Sequence, residues 1–251
     1  MESIDLNCDM GESYGAWSMG RDRDILPLVS SANIACGFHA GDPTTIRETV
    51  AIAIDTGTAV GAHPSYPDIQ GFGRREMSLS AREIHDSVVY QVAALKGICE
   101  SLGGRLHHVK PHGALYNRAA RDAEAASAIS EAVSAIDGGL FVYGLAGSYL
   151  VSEGEKVGLR TTSEVFADRT YLNHGSLTPR SRPDALVESV EEAADRALKM
   201  AVEGTVASVE GSEILVRAET ICIHGDGPNA LEFAKAIRRS LDGNGIEVKA
   251  P

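Results

Sequence analysis

The sequence has no surplus of positive charge, and this limits the partners that we expect. Its 251 residues include 35 Asp and Glu against 23 Lys and Arg, which gives a formal net charge of −12 and an isoelectric point near 5.1. Proteins that bind nucleic acid or anionic membranes present a basic face. We therefore expect no nucleic-acid partner and no membrane partner, although the acidity does not identify a substrate.

Long apolar runs and paired cysteines are also missing. No apolar run reaches the roughly 18 residues needed to cross a bilayer, and the first five residues lack the basic and apolar regions of a signal peptide. No two cysteines form a CxxC pair; the four are Cys8, Cys36, Cys99 and Cys222. This pattern favours buried free thiols in a reducing compartment over disulfides or a zinc site. We expect a soluble, cytoplasmic protein.

Two nucleotide-binding motifs are absent as well. The chain contains no GxxxxGK[ST] motif, so it carries no P-loop for ATP. It also has no GxGxxG motif after a predicted strand, which argues against a dinucleotide-binding fold.

Strand-like apolar runs alternate with helix-length amphipathic stretches along the whole chain. Seven strands are predicted, at Ser3–Asp9, Ala32–His39, Ala59–His63, Leu106–Lys110, Leu140–Leu145, Ser163–Ala167 and Thr220–His224. Strands separated by single helices predict right-handed crossovers and a parallel sheet. The number of units and the chain length favour a (β/α) barrel, with a doubly wound open sheet as the alternative. We expect residues 1–251 to form a single α/β domain, a (β/α) barrel of about seven strands.

Several local signals mark the helices between these strands. Capping residues or prolines predict helix starts at Asp42, Ser80, Pro183 and Pro228. The segment Thr205–Arg217 breaks the rhythm, because two short alternating runs meet across a Gly-Ser pair. It predicts a β-hairpin inserted late in the chain.

Polar and apolar residues alternate inside the predicted strands. In the first strand Asp5, Asn7 and Asp9 lie on one face, and apolar residues lie on the other. A closed barrel accounts for this pattern, since its outer face meets the helices and its inner face lines the lumen. An unpaired carboxylate or amide in the lumen would cost several kcal/mol. We therefore expect these groups to be hydrogen-bonded to one another or to serve in catalysis.

Titratable residues concentrate at the carboxyl ends of the strands, where barrel enzymes place their active sites. Asp9 and Glu12 follow the first strand, and either can act as a general base or as a ligand for a hard metal ion. The alternative for Glu12 is a solvated loop carboxylate. His39 lies between two glycines after the second strand, and His63 ends the third. Asp42 is predicted to be a helix cap rather than a catalytic acid.

The fourth strand end carries the densest group. Lys110 is predicted to point inward and can serve as an electrophile, a phosphate contact or a Schiff-base amine. His108 and His112 have the spacing of a helical metal pair, but on an extended segment they lie roughly 13 Å apart and cannot share an ion. Of Arg74 and Arg75, which follow the third strand, one is predicted to bind a carboxylate or phosphate.

Seven motifs in order make this sequence similar to the LamB/YcsF family. They are DLNCDMGE at 5–12, SANIACGFHAGDP at 31–43, GAHPSYPD at 61–68, GFGRR at 71–75, VKPHGALYN at 109–117, EVFADRTY at 164–171 and CIHGD at 222–226. The resemblance implies a barrel related to the glycoside hydrolase/deacetylase group. It also implies a hydrolase that acts on a cyclic amide, the ATP-hydrolysing 5-oxoprolinase that opens 5-oxo-L-proline (pyroglutamate) to L-glutamate. Partner subunits B and C of the 5-oxoprolinase are implied, with ATP as a co-substrate that the partners mainly handle.

The resemblance and the strand-end positions together suggest a set of site residues. The predicted catalytic residues are Asp9, Glu12, His39, His63, Lys110 and His112. The predicted substrate-binding residues are Asn7, Arg74, Tyr116, Asn117, Glu164, Arg169 and His224. No residue is assigned as a metal ligand, and the presence of a divalent metal is left open.

The hypothesis for the reaction gives these residues roles. Lys110 and an arginine, Arg74 or Arg169, hold the anionic groups of a phosphate-activated lactam. A carboxylate, Asp9 or Glu12, deprotonates the attacking water with help from a histidine of the second or third strand end. A histidine of the fourth or last strand end protonates the leaving nitrogen.

Two other functions fit the same residues. One is a metal-dependent amidohydrolase or carbohydrate deacetylase that works alone, since Asp and His at strand ends would suit one divalent ion. The other is a non-catalytic subunit that binds 5-oxoproline for its partners.

Overall fold

Ten strands form in the computed structural model, which describes residues 2–227 and 229–251. In chain order they are β1 Ser3–Met10, β2 Ser31–Ala35, β3 Ala59–His63, β4 Leu106–Val109, β5 Phe141–Leu145, β6 Arg160–Phe166, β7 Thr205–Ala207, β8 Glu213–Leu215, β9 Thr220–His224 and β10 Glu247–Val248. Strands β1 to β6 and β9 run parallel in that order, and β9 pairs with β1 to close a seven-stranded barrel. The predicted barrel is confirmed, and all seven predicted strands are present.

Among the described residues, eight α-helices accompany these strands. They are α1 Asp22–Ile25, α2 Pro43–Thr56, α3 Ala81–Ser101, α4 Gly113–Arg121, α5 Ala123–Ile136, α6 Tyr149–Lys156, α7 Val190–Glu203 and α8 Ala230–Gly243, and a 3₁₀ turn spans Leu26–Leu28. Within the described ranges 2–227 and 229–251, no helix is long and apolar enough to cross a membrane.

Two helix starts follow the local signals. The Asp42 carboxylate accepts hydrogen bonds from the backbone N–H groups of Thr44 and Thr45, so it caps α2 as predicted. Ser80 and Glu83 form a complete capping box at the start of α3. Pro228, the predicted start of the last helix, lies outside the described residues.

The predicted helix start at Pro183 is wrong. Helix α7 begins seven residues later, at Val190, after its cap Ser189. The chain instead makes a turn at residues 182–185 and then pairs with the segment after β6, because the backbone N–H of Val187 bonds to the Asp168 carbonyl at 3.0 Å and the Ala185 carbonyl accepts from Thr170 at 3.2 Å. A long-range pairing with the end of β6 therefore overrides the local helix signal.

The late hairpin is confirmed. Strands β7 and β8 run antiparallel with Val206 opposite Ile214, and they form a separate two-stranded sheet.

Polar and apolar side chains of β1 separate as the alternation predicts. Ile4 and Leu6 are buried in the hydrophobic core, whereas Asp5 lies among hydroxyl groups. The Asp5 carboxylate accepts hydrogen bonds from Ser30 at 2.6 Å, Ser31 at 2.7 Å and Thr220 at 2.6 Å. Burial raises the pKa of Asp5, and these three hydroxyls act against that rise. Because its oxygens are already engaged, Asp5 has a structural role.

His108 lies on β4, between β3 and β5, and its side chain is in the lumen. Its Nε2 is 2.8 Å from the Asn33 side-chain oxygen, and its ring stacks on Tyr143 with 4.1 Å between centroids. Since the Asn33 amide nitrogen donates elsewhere, its oxygen must accept and His108 Nε2 must donate. A Cβ at Gly61 on β3 would overlap this ring. Gly61 therefore makes room for the histidine.

We expect Gly61→Ala to destabilise the protein by about 1–3 kcal/mol, because the added methyl forces the buried His108 ring to move. The matched control is Gly97→Ala in α3, where nothing lies within 4 Å of the new Cβ. That control should stabilise by about 0.5–1 kcal/mol through helix propensity. Urea unfolding measures both changes, and equal effects of the two substitutions would contradict the packing argument.

We expect His108 to make stability depend on pH. Burial lowers the pKa of folded His108 well below its usual value, so below pH ~6.5 the unfolded chain binds a proton that the folded chain does not. Stability therefore falls as pH drops, by up to about 1.4 kcal/mol per pH unit from this group. His108→Gln keeps a donor for Asn33 and should flatten the slope between pH 7 and 5. The control is His85→Gln, at a half-buried position, which should leave the slope of stability against pH unchanged. An unchanged slope in the His108→Gln variant would show that His108 is not the source of the pH dependence.

Candidate active site

A buried ammonium group lies at the centre of the upper lumen. The Nζ atom of Lys110, directly after β4, is 2.9 Å from Asp9 Oδ1 on β1 and 2.8 Å from Glu164 Oε1 on β6. Asn7 Oδ1 at 3.1 Å and Cys222 Sγ at 2.9 Å complete its surroundings. The lysine is 2% exposed, so its charge is balanced by the two carboxylates and not by water.

The carboxylate and the ammonium shift each other's pKa. Burial alone would lower the pKa of Lys110, but Asp9, Cys222 and Glu164 together outweigh it and raise that pKa well above the usual value. Burial alone would raise the pKa of Asp9, but His63 and Lys110 hold it well below the usual value. Asp9 and Lys110 are therefore both charged at neutral pH.

Asp9 is also oriented by an amide. The Asn33 side-chain nitrogen donates to Asp9 Oδ1 at 2.8 Å and to Asn7 Oδ1 at 2.7 Å. Oδ1 of Asp9 thus accepts hydrogen bonds from both Asn33 and Lys110. Oδ2 is directed towards His63 Nε2, at 3.4 Å. This arrangement leaves Oδ2 as the Asp9 oxygen that can act on a substrate or a water.

Glu164 is held on its second oxygen by a tyrosine. The Tyr116 hydroxyl donates to Glu164 Oε2 at 2.6 Å. Burial, reinforced by the carboxylate, raises the pKa of Tyr116 well above its usual value, so the phenol keeps its proton.

Three histidines and a glutamate form a second group beside Asp9, which we call the histidine cluster: Glu12, His39, His63 and His112. His63 Nδ1 is 2.7 Å from the Lys110 carbonyl, and His112 Nε2 is 2.8 Å from the Phe72 carbonyl. Because carbonyl oxygens only accept, each of these nitrogens carries the hydrogen. The opposite nitrogens, His63 Nε2 and His112 Nδ1, face each other at 2.9 Å.

The other two members of the cluster are buried without hydrogen-bond partners. His39 stacks on His112 with 3.9 Å between ring centroids, and its Nε2 is 3.6 Å from Glu12 Oε1. Among the described residues, neither ring nitrogen of His39 nor Glu12 Oε1 has a hydrogen-bond partner. Burial lowers the pKa of His39 and His112 well below the usual value. Burial, reinforced by Asp9, raises the pKa of Glu12 well above it.

The loop after β3 holds His112 through a strained residue. Phe72 has a φ of 54°, in the left-handed region that non-glycine residues rarely adopt. This conformation directs its carbonyl to His112 Nε2. Gly73 follows with a φ of 64°, and a Cβ there would overlap Ser65 and press against His39 and His112. The GFG sequence thus shapes the wall of the histidine cluster.

A cleft of about 830 Å³ opens above these groups, at the carboxyl ends of the strands. Its floor includes Asp9, His63, Lys110 and His112, and one wall is the loop from Leu172 to Ser181. A small molecule in the cleft can therefore contact these four side chains.

Positively charged side chains surround the mouth of the cleft. Arg74 is 2.6 Å from Asp226, and Arg180 lines the same opening. Arg169 donates to the Thr178 carbonyl at 2.6 Å, and burial lowers its pKa to about 10. Arg169 therefore also fixes the loop that forms the wall.

His224 at the end of β9 faces the cleft from the opposite side. Its Nδ1 is 2.8 Å from Asp168 Oδ2, and its backbone N–H donates to the same oxygen at 3.1 Å. The carboxylate thereby fixes the ring and keeps Nδ1 protonated, so Nε2 is the nitrogen left for other contacts.

The structure brings the predicted site residues together at one end of the barrel. Nine of them line the cleft: Asp9, His63, Arg74, Lys110, His112, Tyr116, Asn117, Arg169 and His224. The other four, Asn7, Glu12, His39 and Glu164, are buried beside or beneath it. The alternative of a solvated Glu12 is wrong, since this residue is 6% exposed. The individual catalytic and binding roles stay predictions.

Sequence reasoning missed several residues that position the site. Asn33 lies on the inward face of β2, so the alternation of polar and apolar residues along that strand could have identified it. Phe72 between two glycines was a weaker signal. Asp168 and Asp226 lie in the motifs at the sixth and last strand ends, but the sequence gave no sign of their partners His224 and Arg74, which lie 56 and 152 positions away.

In the part of the chain that the structure describes, two groups of side chains are close enough to hold a metal ion. In the histidine cluster, one ligand atom from each of the four residues lies within 4.8 Å of the others. The second group is Asp9, Cys222 and His224, within the same distance. The second group fits a cation poorly, since Asp9 and Cys222 already contact the Lys110 ammonium.

Comparisons with known proteins match the whole chain. A model of the LamB/YcsF family matches residues 4–251. The A subunit of 5-oxoprolinase from Bacillus subtilis is 56% identical over 250 residues, which cover 100% of this chain and 97% of that protein. The corresponding A subunit from Bordetella parapertussis is also 56% identical, over 99% of this chain and 98% of the relative.

Solved structures agree with the fold. The lactam utilization protein from Thermus thermophilus superposes with a TM-score of 0.94 at 53% identity, covering 99% of this chain and 100% of that one. The peptidoglycan deacetylase PdaC from Bacillus subtilis superposes with a TM-score of 0.50 at 14% identity, covering 99% of this chain and 87% of that one. The second match supports a deacetylase-like barrel and carries no information about activity.

We expect Lys110→Met to destabilise the protein by about 3–5 kcal/mol at pH 7, because Asp9 and Glu164 would remain buried without their cation. Urea unfolding measures the loss, which should shrink when Glu164→Gln is added, since one carboxylate charge is then removed. The matched control is Lys96→Met in α3, where the lysine pairs with Glu100 at the surface and the change should have little effect. Similar losses for Lys110→Met and Lys96→Met would contradict this account of the lumen.

Proposed function

Because the chain belongs to the LamB/YcsF family, we propose that it is the A subunit of an ATP-hydrolysing 5-oxoprolinase. With subunits B and C it opens 5-oxo-L-proline to L-glutamate. The observation that carries this proposal is the similarity to proteins named as the A subunit of 5-oxoprolinase over nearly the whole of both chains. The four buried free thiols support a cytoplasmic location.

The chemistry requires activation of the lactam. A five-membered lactam closes readily and its amide carbon is a poor electrophile, so water alone opens it slowly. Transfer of a phosphoryl group from ATP to the lactam oxygen makes the carbon electrophilic. Water then adds to that carbon, and the C–N bond breaks as the nitrogen takes a proton, which leaves an acyl phosphate. A second water releases phosphate and gives glutamate.

The division of labour follows from the sequence. The chain carries no P-loop, so we assign the nucleotide mainly to subunits B and C. This chain receives the activated lactam in the cleft and carries out the addition of water.

We assign the general base to Asp9. Its Oδ1 is held by Asn33 and Lys110, and its Oδ2 is directed towards the floor of the cleft beside His63. The low pKa of Asp9 keeps it ionised at neutral pH, which is the form a general base requires, but it also makes the carboxylate a weak base. Lys110 has its charge balanced by Asp9 and Glu164, so we assign it the positioning of Asp9.

We assign the general acid to His224 and the anion contacts to arginines. Asp168 fixes His224 with Nε2 available, and a protonated ring can donate that proton to the leaving nitrogen. Arg74 and Arg180 at the cleft mouth supply positive charge for the phosphoryl group and the substrate carboxylate.

The histidine cluster supports a second candidate, a metal-dependent amidohydrolase or carbohydrate deacetylase that acts alone. The two candidates differ in whether ATP and partner subunits are required.

We expect glutamate to form from 5-oxoproline and ATP only when this chain and subunits B and C are mixed. Asp9→Asn should lower kcat by about 10²–10⁴-fold, the usual contribution of a general base, and His85→Gln should leave the rate unchanged. Thermal unfolding of each variant checks that it is folded.

Three results would contradict the proposal. Full-rate glutamate formation by subunits B and C alone would remove any catalytic role for this chain. Ring opening or deacetylation by this chain without ATP would favour the second candidate. An Asp9→Asn complex with unchanged kcat and a raised KM would indicate a binding subunit.

A further inference from the structure

The hydrogen bonds of His63 and His112 leave two lone pairs facing each other. Each ring donates its N–H to a backbone carbonyl, His63 to Lys110 and His112 to Phe72. The facing nitrogens, 2.9 Å apart, then have no hydrogen between them when both rings are neutral. Two acceptors at that separation repel each other, so the arrangement calls for a positively charged species between them.

Glu12 and His39 point to the same space. Glu12 Oε1 is 3.6 Å from His39 Nε2 and 3.8 Å from His112 Nδ1. Both side chains are buried, and within the described ranges 2–227 and 229–251 neither Glu12 Oε1 nor the His39 ring nitrogens have a hydrogen-bond partner. Buried polar atoms without partners are rare and unfavourable in folded proteins. One bound cation would satisfy the carboxylate oxygen and the facing nitrogens of His63 and His112. The His39 ring, which is stacked on His112, would have to turn to direct a nitrogen at the same ion.

From this geometry we propose that Glu12, His39, His63 and His112 bind one divalent transition-metal ion of the zinc type. Metal–nitrogen and metal–oxygen bonds of ~2.0–2.1 Å in a tetrahedron place neighbouring ligand atoms roughly 3.3 Å apart. Three separations in the cluster, 2.9, 3.6 and 3.8 Å, lie on either side of that value, and all four ligand atoms lie within 4.8 Å of one another. Three imidazoles and one carboxylate are ligands that suit Zn²⁺ and its neighbours rather than Mg²⁺ or Ca²⁺.

The surroundings of the cluster support this assignment. Metal-binding histidines usually donate their second ring N–H to a carbonyl or carboxylate, as His63 and His112 do. The four residues come from the ends of four adjacent strands or from the loops that follow them, so the barrel holds them in place. Phe72 keeps a strained backbone at the position whose carbonyl orients His112.

His63 and His112 line the cleft, whereas Glu12 and His39 lie behind them. A bound ion would therefore lie nearest the cleft on the side of His63 and His112, and a small molecule next to Asp9 would reach it as a fifth ligand. The inference does not rest on the proposed function, because the donor geometry carries it and metal content tests it.

The alternative is a single proton shared between His63 Nε2 and His112 Nδ1. A shared proton would satisfy these two nitrogens, but Glu12 Oε1 and the His39 ring nitrogens would still have no hydrogen-bond partner among the described residues. The two explanations differ in metal content.

The test measures binding of Zn²⁺ or Co²⁺ alone to the full chain after chelator treatment. We expect one equivalent per chain by elemental analysis, Co²⁺ absorption in the visible range and a melting temperature that rises with metal concentration. His63→Gln and His112→Gln should each weaken binding by more than about 100-fold, since loss of an outer-shell partner alone costs 10–100-fold. Glu12→Gln is a milder variant for the case in which a histidine variant fails to fold.

Two control variants separate this site from others. His85→Gln on the surface and His224→Gln in the second group should both retain one equivalent of metal. Loss of metal in His224→Gln with retention in His63→Gln would move the ion to the second group and overturn the inference. Wild-type protein that binds no more metal than the Glu12→Gln and His63→Gln variants would also overturn it, in favour of the shared proton.

Discussion

A charge buried inside a closed barrel must be balanced by other groups in the barrel, and the Lys110 ammonium is the clearest case. Its two carboxylate neighbours, Asp9 and Glu164, come from β1 and β6, which are far apart in sequence but flank β9 in the closed barrel. Removal of the ammonium would leave both carboxylates uncompensated in a region without bulk water. The strands of the upper barrel are therefore tied together by electrostatics as well as by packing.

This constraint also determines how the site is oriented. Because one oxygen of Asp9 is taken by Lys110 and Asn33, the other is directed towards the cleft. Glu164 is held between Lys110 and the Tyr116 hydroxyl, so it is a structural partner more than a contact for substrate. In the lower lumen, neutral groups stabilise the buried carboxylate of Asp5, which accepts hydrogen bonds from three hydroxyls. The barrel thus has a structural layer beneath a reactive one.

The histidine cluster differs from both layers, because its hydrogen bonds are incomplete. Folded proteins rarely leave buried polar atoms without partners, and such atoms concentrate at functional sites. The strained Phe72 and the close-packed Gly73 belong to the same region. The part of the barrel that faces the cleft is therefore less stable locally than the layer below it. In that lower layer, hydroxyl groups satisfy Asp5.

Local sequence patterns determined much of this protein. Alternation within strands identified the barrel and its polar lumen, and short-range capping identified the starts of α2 and α3, because these features depend on neighbouring residues. Strand ends also identified the residues that gather at the cleft. Contacts between distant residues decided the rest. They pair residues 185–187 with the segment after β6, place Cys222 against Lys110, and pair Arg74 with Asp226 across 152 positions. The tautomers of His63 and His112 depend on two backbone carbonyls that only the closed barrel brings to them, so no sequence pattern could have shown that their lone pairs face each other.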